Sequence, residues 1–505
     1  MDKNTLSRRQ FLEKGAAGTA AFLTAVGNNA PLSAATAADP PRSDRPNVVV
    51  IMTDQHHFQA LRCAGNSLIR TPNLDRLARE GILFTNGYVN APICGPSRAS
   101  FYTGHHCGKT RVFTNHRPIA DGLQVLPRTL QQAGMQTARV GKLHLHPMTD
   151  DWGFEWHRVN DAMYNTYAPE ADHSDYIRWA ARAMNVSPRT LIRQFETDEE
   201  SRDLFRFTMG SSVTDAYHHY NDWCADAAIR FLREERDGRP FFLHLGFFGP
   251  HQPMLPPEPW ASCYQPQKVE LLPQMHADVA DIATLSPRFR KRAKRPSREG
   301  WTDHTWRTVL AAYYGQVTQI DHHIGRILAA LDELEISGNT VVVFTADHGD
   351  HLGQYRLLQK GTMYEGSVHV PLLIRDPAGV KGRREERLVS LLDVYRTILA
   401  RCGVEDPNGS PGRSMVPLLE GRSDGWQNEV FASLWRQSLL RRDHLKLYRR
   451  RVGRGVDDVR YDLFDLREEP YEMVSHAEDP AYSDVRAELQ ADLDDWHARQ
   501  GIDRV

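Results

Sequence analysis

The chain has 505 residues, 41% hydrophobic and 25% charged, with 62 Lys and Arg against 64 Asp and Glu. A formal charge of −2 excludes a nucleic-acid partner held by bulk positive charge, and no run has the length and apolarity of a membrane span. Six scattered cysteines (63, 94, 107, 224, 263 and 402) form no CxxC pair, which excludes a zinc knuckle and leaves room for at most one or two disulfides.

Ser7-Arg8-Arg9-Gln10-Phe11-Leu12 opens the chain as a twin-arginine export signal. A weakly apolar Ala/Gly segment follows to about Gly27, then small residues around Ala34–Ala38 that offer Ala-x-Ala cleavage. Residues 1–38 therefore predict a signal peptide, and with it a bacterial protein carried folded through the twin-arginine translocase. Its destination is the periplasm or the exterior. Those residues carry four basic and two acidic groups, so their removal takes the charge from −2 to −4.

Next, Asn47–Met52 is a β-branched apolar run, a buried strand that ends at Thr53-Asp54-Gln55. Asn73–Glu80 has helical leucine spacing and stops at Gly81. Thr129–Ala133 reads as the end of a helix, and Gln136–Val140 as a strand running into Gly141-Lys142-Leu143-His144. Val213–Glu235 is amphipathic and helical. Phe241–Phe248 is a strand running into Gly249-Pro250-His251-Gln252-Pro253. His304–Leu334 is helical, and strand Thr340–Thr345 runs into Ala346-Asp347-His348-Gly349. This alternation predicts an α/β fold, a large mainly parallel sheet sandwiched by helices. Asp484–Gln500 reads as a closing helix, with Ser483 just before it as its N-cap.

Asp54, Lys142, His144, His251, Asp347 and His348 each follow the carboxyl end of a predicted strand, the edge where open α/β sheets bind ligands. Asp54, Gln55, Asp347 and His348 could hold one divalent cation. Their oxygen donors favour Ca2+ or Mg2+, and the imidazole admits Mn2+. Zinc ligation by His144 with His146, or by His348 with His351, is the competing reading. Cys94-Gly95-Pro96-Ser97-Arg98 carries a thiol at the mouth of a helix whose first turn suits Pro96. Free N–H groups there favour an anion, and Arg98, four residues on, adds a positive group to the same pocket.

The eleven residues Cys94–Gly104 resemble the signature of the type I sulfatases. In that family Cys-x-Pro-x-Arg marks a cysteine for oxidation to formylglycine. Gly141-Lys142-Leu143-His144, Pro250-His251-Gln252-Pro253, Asp347-His348-Gly349, Lys360 and Gly412-Arg413-Ser414-Met415 match further motifs, over roughly residues 45–420. Gln55 departs from the family, which often has a second Asp there. The resemblance implies an alkaline phosphatase-like fold and a sulfatase hydrolysing a sulfate ester. It implies a catalytic domain, over 39–424 here, and a smaller C-terminal α+β subdomain over 425–505, with a short antiparallel sheet that Tyr461–Leu466 fits and a final helix. It implies maturation of Cys94 by a cytoplasmic formylglycine-generating enzyme and a hydrated aldehyde that attacks sulfur. Asp54, Gln55, Asp347 and His348 would hold the cation, Ca2+ first, with Asp347 also helping to deprotonate the attacking hydroxyl. Arg98, Lys142 and Lys360 would balance the sulfuryl charge. His251 with Lys360 would protonate the leaving oxygen, and His144 would take the proton when the aldehyde re-forms.

A sulfated carbohydrate is the expected substrate class, with choline sulfate and aryl sulfates as alternatives. Candidate substrate contacts are His56, His57, Asn115, His116 and Arg117, a Trp/Tyr/His-rich segment between Trp152 and Thr214, and the basic run Arg288–Arg298. Two rival functions are a phosphonate or phosphate ester hydrolase on the same site and a sulfated-glycan binder without turnover.

Overall fold

A strand buried on both faces sends alternate side chains into two different cores. Asn47–Asp54 (β1) does so: Val48, Val50 and Met52 join one hydrophobic cluster, Val49 and Ile51 the other. The computed structural model of the chain describes residues 45–161, 174–188, 219–272, 275, 301–451 and 458–501. The predicted signal, the run Arg288–Arg298, much of the Trp152–Thr214 segment and the start of the Val213–Glu235 helix lie outside the described residues.

The further strands of the large sheet are β2 (Ile82–Tyr88), β3 (Gln136–Gly141), β4 (Trp156–Val159), β5 (Phe241–Pro250), β6 (Thr340–Ala346), β7 (His369–Arg375), β8 (Arg383–Glu385) and β9 (Val389–Ser390). They run in the order β4-β3-β5-β1-β6-β7-β2-β8, with β9 also on β2. From β4 to β6 every pairing is parallel. β7 is antiparallel to both its neighbours, so the other half of the sheet is mixed. Pro371 lies in β7 where its register against β2 shifts, between the pairs Phe84–Leu372 and Gly87–Val370. A proline in a strand is tolerated at such a bulge, because no ladder hydrogen bond is required there.

Helices cover both faces: α1 (Pro72–Glu80), α2 (Cys94–Thr103), α3 (Leu126–Gln132), α4 (Asp175–Ala183), α5 (Tyr220–Arg230), α6 (Asp303–Glu333) and α7 (Leu391–Arg401). Thr302 caps α6 through its side chain, and Ser390 with Asp393 forms a capping box on α7. α5 continues as a π-helical turn over Phe231–Glu235.

The C-terminal part is an antiparallel sheet of β10 (Glu429–Leu434), β11 (Gln437–Arg442), β12 (Leu445–Arg451) and β13 (Val459–Asp465), followed by α8 (Ser483–Gln500). Leu440, Leu447 and Leu463 pack on Leu489, Leu493 and Trp496 of α8. The other face sends Leu439, Tyr448 and Phe464 into the large core. Ser483 proves to be the first residue of α8 rather than its cap: Tyr482 holds that position and makes no side-chain cap. The preceding turn, Pro480–Tyr482, is capped instead by Asp479. All six cysteines are free.

Candidate active site

β3, β5, β1 and β6 are adjacent in the sheet and parallel, so their carboxyl ends lie side by side. Those ends deliver Lys142, His251, Asp54 with Gln55, and Asp347 with His348. Two glycines permit the arrangement. Gly141 has φ +77°, and a Cβ there would come within 2.1 Å of the Gly246 carbonyl. A Cβ on Gly246 would in turn meet the Lys142 carbonyl at 2.0 Å. Only bare backbone lets β3 and β5 close on each other at that point.

The thiol arrives from the other side. Cys94 opens α2, Pro96 stands in its first turn, and every residue of the helix is buried. Asn115 Oδ1 accepts the Gly95 N–H at 2.9 Å, one of the helix's unsatisfied donors. Cys94 Sγ lies 3.1 Å from His348 Nε2 and 3.9 Å from Asp54 Oδ1. His348 Nδ1 donates to the Gly349 carbonyl at 2.9 Å, which turns Nε2 toward the thiol.

Each carboxylate divides its oxygens between two tasks. Asp54 Oδ2 pairs with Lys142 Nζ, and its Oδ1 faces His348 Nε2 at 3.6 Å. Asp347 Oδ2 accepts from Arg98 Nε at 2.8 Å, and its Oδ1 faces His348 Nε2 at 3.5 Å. One ligand atom from each of Asp54, Cys94, Asp347 and His348 lies within 4.8 Å of all the others, and all four residues are buried. Two carboxylate oxygens and an imidazole nitrogen converging in this way fit a divalent cation. Among the described residues this is the one group of three or more such ligands, and it includes none of His144, His146 and His351. His351 is occupied instead by Gln354 and Thr362.

Positive charge surrounds the thiol. Lys360 Nζ donates to Gln55 Oε1 at 2.5 Å. Arg98 Nη1 donates to the Lys142 carbonyl at 2.9 Å. Its Nη2 is 3.9 Å from Asp54 and has no hydrogen-bond partner among the described residues, an unspent buried donor. Burial and Asp54 oppose ionisation of Cys94, but Lys360, Lys142 and His348 outweigh them and bring the thiol down to about 6. Burial works against the charge on Lys142, yet Asp54 holds that ammonium above its ordinary value. Burial likewise opposes the Asp54 charge, and Lys142 with the other cations holds the carboxyl well below the usual range. Burial and then Lys360 push His251 down, while burial and then Lys142 push His144 down, so both imidazoles rest neutral.

Several expected contacts lie elsewhere. His56 is wholly buried, close to Thr53 Oγ1 and the Ala60 carbonyl, with its ring edge-on to Phe344. His57 accepts the Gln59 N–H, stacks on Phe58 and lines a separate cavity of about 570 Å3. Neither is presented to the thiol. His116 is exposed at the rim, edge-on to the His144 ring at 5.5 Å, and Arg117 beside it is exposed. The described part of the 152–214 segment contributes Arg158, Trp179 and Arg182 to a groove of about 640 Å3 shared with Trp223.

Two positioning carboxylates were not foreseen. Asp161 Oδ1 accepts the N–H groups of Leu143 and His144 at 2.6 and 2.9 Å, fixing a turn in which His144 has φ +56°. Asp350 accepts from Gln55 and closes the Asp347-His348-Gly349-Asp350 turn. The fourth residue of that motif was the available signal for it.

Comparison with known proteins agrees with this geometry. The family model described as Sulfatase matches residues 46–404, and that of N-sulphoglucosamine sulphohydrolase, C-terminal, matches residues 353–499. An arylsulfatase of Clostridium perfringens is 31% identical over 418 residues, covering 76% of this chain and 81% of that protein. An N-acetylglucosamine-6-O-sulfatase of Bacteroides thetaiotaomicron is 26% identical, covering 92% and 89%. The crystal structure of a phosphonate monoester hydrolase of Agrobacterium radiobacter superposes with a TM-score of 0.76 at 25% identity, covering 90% of this chain and 96% of that one. With a cysteine at the signature position and a buried cation cluster around it, the chain belongs to the sulfatase family, as a type I, Cys-type member of the alkaline phosphatase-like superfamily.

Proposed function

We propose that this sulfatase removes sulfate from a sulfated carbohydrate, with Cys94, matured to formylglycine, as the source of the nucleophile. One observation carries the reading. A buried thiol at a helix mouth stands among Arg98, Lys142, Lys360 and His348, and one arginine N–H there is unspent. A sulfate monoester brings anionic oxygens that need such donors, and they must be in place before charge develops.

Asp54, Gln55, Asp347 and His348 would hold the divalent cation, with Ca2+ first among Mg2+ and Mn2+. When bound, it supplies Lewis-acid polarisation at the nucleophile and the sulfuryl oxygens. Arg98 Nη2, Lys142 and Lys360 bind the anionic oxygens. His251 rests neutral, and Lys360 beside it is the proton source that lets His251 relay a proton to the leaving oxygen. His144 is also neutral, so it can accept a proton from the nucleophile's second hydroxyl. The sugar assignment draws on the names of the glucosamine-sulfate relatives. Among the described residues no helix is long and apolar enough to cross a membrane. Export through the twin-arginine pathway to the periplasm is part of the proposal and rests on residues 7–38.

The superposition on a phosphonate monoester hydrolase favours one second reading, hydrolysis of a phosphorus ester on the same site. Matched aryl sulfate and aryl phosphonate esters, assayed on matured protein, separate the two. The sulfate ester is expected to have the higher kcat/KM. A higher value for the phosphonate overturns the sulfate assignment.

A further inference from the structure

A glutamine beside a cation has an ambiguity that a carboxylate lacks: one end of its amide accepts and the other donates. Gln55 must present Oε1 to serve a cation, and its surroundings decide which end faces where. Its backbone N–H donates to Asp347 Oδ1 at 3.1 Å. Its carbonyl accepts from the Tyr313 hydroxyl at 2.6 Å. The backbone thus sits clamped at φ +66°. Nε2 donates to Gln252 Oε1 at 2.5 Å and to Asp350 Oδ2. Both amide hydrogens are then spent, and only Oε1 remains, facing Lys360.

Asp350 is built for this task. It is wholly buried, and its Oδ1 accepts the backbone N–H groups of Leu352 at 2.8 Å and Gln359 at 2.9 Å. Oδ2 is left for Gln55. A carboxylate oxygen can only accept, so it holds the NH2 end of the amide and rejects the flipped form. Gln252 cannot enforce this alone, because it is itself an amide, only partly buried, and can turn over.

We propose that Asp350 is a positioning residue that fixes the Gln55 amide with Oε1 toward the cation site. The proposal deepens the cation reading above and rests on it. Gln55 and Asp350 are a matched donor–acceptor pair.

A charge-conserving swap tests the pairing. Asp350→Asn keeps the acceptor for Leu352 and Gln359 but turns an NH2 toward Gln55, which forces the amide over. Gln55→Glu sets two carboxylates against each other with no hydrogen between them. The double variant Gln55→Glu/Asp350→Asn restores one donor and one acceptor in reversed order and keeps the total charge. Ca2+ affinity is measured by calorimetry on the chelator-stripped full chain, with melting temperature measured before any metal is added. Asp350→Asn is expected to bind Ca2+ about 10- to 100-fold more weakly, the range for loss of an orienting partner. Each single variant should also melt lower without metal. The double variant is expected to recover most of both losses. Unchanged Ca2+ affinity in Asp350→Asn overturns the proposal. So does a double variant no better than the worse single one, or one that fails to fold. Failure of the unaltered chain to take up Ca2+, Mg2+ or Mn2+ overturns the cation site itself. The metal-free melting temperatures test the donor–acceptor match on their own.

Discussion

Two buried clusters of charge in this protein are finished differently. One surrounds Cys94. The other sits where the C-terminal sheet meets the large domain. There Lys446 Nζ donates to Glu365 Oε1 and Glu472 Oε1, both at 2.7 Å, and Glu365 Oε2 accepts from Tyr88 at 2.7 Å and lies 2.9 Å from His369 Nδ1. Glu472 Oε2 accepts the Glu365 N–H at 2.7 Å. Among the described residues no buried side-chain atom of Glu365, His369, Lys446 or Glu472 lacks a partner. Around Cys94, by contrast, Arg98 Nη2 and His144 Nδ1 are buried and unpartnered. A closed network of this kind fixes one arrangement of the backbone. An open one keeps donors and acceptors in reserve for something that arrives later. The closed cluster also serves the open one, since Glu365 begins the turn that follows Lys360 and Gly361.

The comparison breaks most sharply at the thiol. Cys94→Ala should abolish sulfate release in a steady-state assay and leave the melting temperature close to that of the unaltered chain. Residual turnover near the original level would remove Cys94 from the chemistry. Next come the two lysines. Lys446→Met strips the shared cation from two buried carboxylates and should cost about 3–5 kcal/mol in chemical denaturation. Turnover of the fraction that stays folded should be largely kept. Lys142→Met should do the reverse, lowering kcat by about 100-fold or more, the loss typical of one preorganised donor, with a smaller stability loss in the metal-loaded protein. Equal effects from both lysines would erase the distinction between the clusters.

Acid sharpens the contrast further. Burial holds His56 at about 4 and His106, His219 and His244 at about 3, so all are neutral in the folded chain. Unfolded, they take up protons near 6.5. The unfolded state therefore binds more protons below that pH, and stability falls as the pH drops toward 4. Each histidine contributes about 1.4 kcal/mol per pH unit. Denaturation curves between pH 7 and pH 5 should show this slope, and His56→Gln should flatten it by one proton. The smallest effect expected is at the rim. His116→Ala should raise KM a few-fold and leave kcat unchanged, because His116 lies against His144 and outside the cation cluster.

How much of this was legible in the sequence follows from burial. β1, β3, β5 and β6 are covered on both faces, so they appear as unbroken apolar runs, and the polar residue after each run marks a strand end. β7 was not picked out in the sequence: Pro371 stands inside it, at the point where the register against β2 shifts. β2, with Thr85 and Asn86 near its middle, did not stand out as an apolar run either. For His56 and His57, adjacency to Asp54 and Gln55 says nothing about direction. The chain turns at Gln55, with φ +66°; His56 then packs against Phe344, and His57 stacks on Phe58 and lines the 570 Å3 cavity. Asp161 and Asp350 act through backbone N–H groups and an amide, contacts that leave no residue-type pattern except in the four-residue motif that ends at Asp350.

The account stands or falls on what Cys94 becomes. The direct test is the mass of the tryptic peptide Glu80–Arg98 from protein made in its own host. A peptide that has lost its sulfur and gained an aldehyde oxygen is the result predicted here. A peptide with an intact thiol, from cells that mature other sulfatases, would contradict it and leave the cluster around Cys94 as a cation site without a nucleophile.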